Sequence, residues 1–240
     1  MKKLIRSFIF ISVFLLQGCD VMTYNTFTSY VTAYYDYDDI ALSLTDNGNI
    51  RISYDTVSSH KEYSWNSSGQ NKVVYDSLCK VHNDLGYDKK RGYIAMPDWG
   101  SCSTFDIAHI DVVSNANFDA QHPSGTSLND LVYFISVSPK KYIDSGYNYS
   151  YDWANKTPEI FEKEQEMYNF RNSSESSNYN PINKKLSETA IDEMVLLPAY
   201  YFGYLVFDSS PTTIKKHTLT VTFSLCNGKV ISKTIEKTFN

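Results

Sequence analysis

The chain has 240 residues and a formal net charge of −5, with its lysines scattered except near the C-terminus. That balance lacks the basic footprint of a nucleic-acid binder, so nucleic acid is not an expected partner. The length suits one large domain or two small ones, and no apolar run beyond the N-terminus is long enough to cross a bilayer.

Lys2, Lys3 and Arg6 open the chain, followed by an apolar run from Leu4 to Leu16 that Ser7 and Ser12 interrupt. The run is too short to span a membrane comfortably and has the length of a signal-peptide core. It ends in Leu16-Gln17-Gly18-Cys19, which resembles the lipobox of bacterial lipoproteins. The resemblance implies cleavage after Gly18, a diacylglyceryl thioether on Cys19 and acylation, as with palmitate, of the new amino terminus. Residues 1–18 are then a signal peptide, and residues 19–26 a lipidated tether to the membrane. Several acyl chains, at about 0.8 kcal/mol per buried CH₂, give stable anchoring. Asp20 resembles the inner-membrane retention signal of enteric bacteria, or the surface-export signal of Bacteroidetes. A composition rich in Tyr, Asn, Ser and Lys favours the second, and the chain is loosely similar to the small surface lipoproteins of that group. This implies the outer membrane or the cell surface.

Residues 27–240 read as one domain. Phe27, Val31, Ala33 and Tyr35 share the parity of a half-buried strand. The turn signal at 46–49 is followed by Ile50, Ile52 and Tyr54 in alternation, which predicts a hairpin. Val74, Leu78, Val81 and Leu85 then follow one helical face, with Gly86 at the expected stop. Residues 105–114 and 130–139 are β-rich runs separated by a polar loop. A helix is predicted over 158–171, capped by Thr157 and opened by Pro158 and Glu159, with Ile160, Phe161, Met167 and Tyr168 on its apolar face. A mobile loop is predicted at about 171–185, then a short helix near 187–195 and an apolar strand over 199–208. Near the C-terminus Leu219, Val221, Phe223 and Leu225 alternate with Thr and Ser, and Asn227-Gly228 is a strong hairpin signal. A two-residue turn there would set Ser232 and Thr234 opposite Phe223 and Val221. Shifting the register by one brings Ile231, Ile235 and Phe239 to the core face, so a longer turn or a bulge is predicted near 226–230. The expected fold class is mainly β with inserted helices: an antiparallel, immunoglobulin-like β-sandwich.

With Cys19 lipidated, Cys79, Cys102 and Cys226 remain in an oxidising compartment. An odd count allows at most one internal bridge. Cys79 and Cys102 are the nearest pair; the alternative is that all three are small buried hydrophobes. No CxxC or HxxxH spacing accompanies them, and no cofactor fingerprint is present, so neither a metal nor a cofactor is expected. Asp36, Asp38 and Asp39 lie close together but lack the calcium-loop pattern, and read first as a solvated acidic turn. His109 and Asp111 could orient an imidazole without any nucleophile motif, which leaves a hydrolase as the third reading. Tyr147, Tyr149, Tyr151 and Trp153 share one parity. Exposed, such a row would stack on sugar rings; buried, it would pack one sheet on another. The expected function is a lipid-anchored, non-catalytic binding protein with polysaccharide as a candidate ligand. The alternative is a structural or adhesive envelope component, whose terminal hairpin adds to the sheet edge of an envelope-protein partner.

Overall fold

Alternation and turn chemistry act together in the C-terminal hairpin. Strand β10 (Lys216–Leu225) pairs antiparallel with β11 (Val230–Thr238), and Phe223 faces Ile231 while Leu219 faces Ile235. The turn closes by a bond from the Gly228 N–H to the Leu225 carbonyl, with Gly228 at φ +85. The left-handed residue that follows the turn provides the predicted shift and keeps both isoleucines on the core side. In the computed structural model, residues 27–55, 59–91, 100–173 and 176–240 are described. The expected signal peptide and tether, with Cys19, lie outside them.

Among the described residues the chain is mainly β, with three sheets and a few short helices. Strand β10 also pairs with β6 (Ile107–Ser114), giving a sheet of order β11-β10-β6. The predicted first hairpin is β2 (Ile40–Leu44) with β3 (Ile50–Tyr54). It continues through β9 (Tyr201–Phe207) and β7 (Val132–Ser138) to β8 (Asn180–Lys185), in the order β2-β3-β9-β7-β8. A third sheet sets β1 (Val31–Tyr37) between β4 (His60–Ser64) and β5 (Gly100–Ser103). Here the antiparallel expectation is corrected, because β1 and β5 run parallel. A parallel pair needs a long crossover, which the segment holding β2 to β4 and the first helices supplies.

Two hydrophobic clusters lie on opposite faces of the five-stranded sheet. Ile50, Ile52, Val132, Phe134 and Leu205 join Ile110, Val112, Val221 and Phe223 of the β6–β10–β11 sheet in one cluster. Ile135, Val137 and Tyr204 point the other way and pack with Val31, Tyr34 and the helices. Gly203 allows the central strands to approach: it sits at φ +146, and a Cβ there would meet the Ile135 carbonyl oxygen at 2.5 Å.

Helix α1 (Gly69–Val81) forms where the 3.6-residue pattern predicts one, but it buries a different face. Tyr75, Cys79 and, just beyond the last turn, His82 go inward, while Val81 is 72% and Leu85 54% exposed. The helix stops before the expected Gly86. Asn83 takes φ +56, and the N–H groups of Asn83 and Asp84 bond the carbonyls of Lys80 and Cys79. This paired closure is a Schellman motif, with Asn standing where Gly is commonest. A second short helix, α2 (Tyr87–Arg91), follows.

After α3 (Lys140–Asp144) and α4 (Trp153–Lys156), the helix predicted over 158–171 divides into α5 (Ile160–Lys163) and α6 (Gln165–Arg171). Glu164 between them is extended, at φ −99 and ψ 124. The side chain is buried, and its Oε1 accepts bonds from Thr45 (3.1 Å), Asn47 (3.3 Å) and Asn49 (2.6 Å) in the β2–β3 turn. Helix propensity yields here to a tertiary contact that fixes a hairpin turn. Glu164→Ala is expected to cost about 2 kcal/mol in urea unfolding, because the partly exposed turn donors can return to water. The mobile loop expected at 171–185 is also corrected. Residues 180–185 are the edge strand β8, and Ser176, Asn178 and Tyr179 before it are buried. The helix expected near 187–195 reduces to a 3₁₀ turn at Leu186–Glu188.

Candidate functional site

The apolar face that the sequence builds on α1 is only partly covered: Val74 and Leu78 pack at the margin of the second cluster, and Val81 is left in water. Val74, Leu78 and Val81 form one wall of a groove of about 450 Å³. Leu225, Cys226 and Lys229 at the β10–β11 turn, and Phe105, line the groove as well. Local folding explains this placement. The helix is rotated so that the Tyr75 hydroxyl donates to the Val31 carbonyl at 2.8 Å and Cys79 enters the aromatic cluster. The aliphatic stripe, about 100° away around the helix, is thereby turned outward.

Two carboxylates stand among these apolar groups. Asp36 on β1 accepts from the Thr104 hydroxyl at 3.0 Å and from the Tyr63 hydroxyl at 3.4 Å. The Asp106 N–H bonds the Thr104 carbonyl at 3.0 Å, so one residue ties both acids to the same short turn after β5. An Asp106 carboxylate oxygen lies 3.2 Å from His82 Nε2, and the other accepts from the Leu196 N–H at 3.3 Å. Burial pushes Asp106 up to about 6 and holds His82 down at about 4, with Lys140 further opposing protonation of the imidazole. At neutral pH the pair is thus a carboxylate beside a neutral ring. Cys226 is exposed, and burial of its thiol together with the neighbouring Asp106 charge raises its pKa. A thiol held neutral in this way is a poor nucleophile.

The aromatic row, open by sequence to either an exposed platform or a buried packing face, forms no exposed platform. Residues 147–152 form no strand, because Gly146 and Tyr147 take φ +66 and +64 and turn the chain. Tyr147 and Trp153 are buried in the second cluster, and Tyr149 and Tyr151 are half-buried. The Tyr147 hydroxyl donates to Asp84 at 2.9 Å, and Trp153 Nε1 donates to the Ser176 carbonyl at 2.6 Å. Asp152 then caps the Asn155 N–H and starts α4. Of the two packing alternatives for these aromatics, burial applies, as it does for most large apolar side chains.

Of the two readings of Cys79 and Cys102, the buried thiols apply: both are free, lie in the same cluster, and no bridge joins them. The remaining candidates disperse. Asp38 accepts from Ser59, Asp39 pairs with Lys233, and Asp111 accepts from Ser127 while His109 is exposed. Among the described residues no group of three or more His, Cys, Asp or Glu is placed to hold a metal, and no helix is long and apolar enough to cross a membrane.

The edge of the terminal hairpin is guarded. Strand β11 has a single ladder partner, but Lys229, Lys233 and Lys237 reach across to the Asp38 carbonyl, the Asp39 carboxylate and the Gly48 carbonyl. Inward-pointing lysines on an edge strand oppose the addition of a further strand. The chain matches no protein-family model, no curated protein and no solved structure.

Proposed function

We propose that this chain is a lipid-anchored, extracytoplasmic, non-catalytic binding protein that receives an apolar segment of a partner protein in the α1 groove. The observation that carries the reading is Val81, 72% exposed beside the half-buried Val74 and Leu78, on a stripe that the sequence patterns as a buried helix face and the fold leaves lining a groove. Amphipathic grooves of this kind dock partner segments through apolar anchors. The neutral Cys226 thiol favours binding over catalysis at the same place. The burial of Tyr147 and Trp153 removes the platform on which polysaccharide binding would rest, which moves the weight to a protein partner. We read the scaffold as immunoglobulin-like, supported by the two antiparallel sheets that close one core. Lipidation at Cys19, in an outer-membrane or surface setting, would hold the groove beside envelope proteins.

The test places a photo-cross-linking amino acid at Leu78 or at Thr234 on the outer side of β11, in cells that also report palmitate labelling. A discrete protein adduct from position 78 that is absent from position 234 and lost on Val81→Asp is expected. Equal adducts at both positions would overturn the groove reading. Palmitate labelling that survives Cys19→Ala would overturn the anchor.

A further inference from the structure

Resting on that reading of the groove, we propose that its occupant is a cationic apolar segment, with a Lys or Arg of the partner set between Asp36 and Asp106 and apolar neighbours seated on Leu78 and Val81. Charge complementarity carries the step. Among the described residues neither acid has a Lys or Arg ion-pair partner: Asp36 is bonded by two hydroxyls, and Asp106 by a backbone N–H and a neutral imidazole. Two lysines stand near without pairing either acid, although the Lys140 charge is felt at Asp106. Lys229 on the rim bonds the Asp38 carbonyl at 3.0 Å and covers the Phe105 ring, and Lys140 pairs with Asp144 at 2.5 Å.

The two carboxylates are also held in place before any partner arrives. The Thr104 hydroxyl fixes Asp36, the Thr104 carbonyl fixes the backbone of Asp106, and the Cys226 N–H bonds the Asp106 carbonyl at 2.8 Å. A cation entering here meets acceptors that need little reordering, in surroundings less polar than water. A neutral segment would cover the acids without pairing them, and an acidic one would face like charge. Both outcomes cost binding energy and discriminate against those partners. The apolar wall supplies affinity and the acids supply choice of partner.

The full-length lipoprotein in detergent is titrated with three pools of synthetic 12-residue peptides of shared Leu, Val and Phe content. The pools differ in one central residue, which is Lys or Arg, Gln, or Glu. The cationic pool is expected to bind at least about 10-fold tighter than the Glu pool, with an advantage that shrinks as NaCl rises. Asp36→Asn, which keeps an acceptor for Thr104, should remove most of that advantage. Val81→Asp should abolish binding of all three pools. Equal binding of the pools, still sensitive to Val81→Asp, would overturn the cationic occupant and keep the docking groove. Binding of no pool, or binding indifferent to Val81→Asp, would overturn the groove reading and this inference with it. Self-association of the chain that is lost in Val81→Asp would assign the groove to a second copy and also overturn the proposal.

Discussion

Asp84→Ala is expected to remove about 4 kcal/mol of stability, because it strips the acceptor from three buried donors at once. Asp84 is 0% exposed. Its Oδ1 accepts from the Tyr30 N–H at 2.8 Å and from the Tyr147 hydroxyl at 2.9 Å, and its Oδ2 accepts from the Val31 N–H at 2.8 Å. These bonds tie the end of α1, the start of β1 and the turn after α3 into one joint. Asp84→Asn should recover only part of the loss, since one amide can present a single oxygen to donors on both sides. The penalty also depends on pH. Burial raises the folded pKa of Asp84 to about 6, above its ordinary 3.8, against the pull of those three donors. The folded state therefore binds this proton more tightly than the unfolded state. The stabilisation it gives wild type is largest at low pH and fades as pH rises through about 6. Urea unfolding should show the wild-type-to-Ala difference about 1 kcal/mol larger at pH 5 than at pH 7. A difference below 1 kcal/mol at both pH values would mean the joint does not hold the layers together.

Local signals were legible and long-range ones were not. The terminal hairpin could be read down to the parity of its register, though not to the cross-strand partners, because Asn227-Gly228 marks the turn and only one parity keeps Ile231 and Ile235 inward. The β2–β3 hairpin was legible for the same reason. The parallel β1–β5 pair has no local marker, since its strands are separated by most of the first hundred residues. The 158–171 helix pattern is real at the level of propensity, and what divides it is Glu164 meeting a turn more than a hundred residues earlier. The aromatic row failed at Gly146, whose turn-forming capacity next to Ser145 and Asn148 could have been weighed against the parity of the tyrosines. The candidate groove was half visible. Its aliphatic stripe was found from the 3.6-residue period, but its burial was assumed, and Asp106 and His82 carried no motif that linked them.

Tyr75→Ala is expected to cost about 4 kcal/mol, whereas Val81→Ala should stay within about 0.5 kcal/mol of wild type in the same unfolding measurement. Tyr75 and Val81 lie on one helix, and hydropathy alone ranks Val81 as the core residue. Tyr75 is buried against Tyr34, with ring centroids 6.0 Å apart, and its hydroxyl bonds the Val31 carbonyl. Truncation leaves a large cavity and an unpaired carbonyl in the aromatic layer. Val81 is mostly in water, so its truncation exposes little more. The pair of results separates two parts of α1: the face through Tyr75 and Cys79 holds the fold, with Val74 and Leu78 packed at its margin, and Val81 stands in water at the groove. A cost above about 2 kcal/mol for Val81→Ala would place the stripe inside a packed core. The groove, and with it the binding function assigned to this helix, would then be lost.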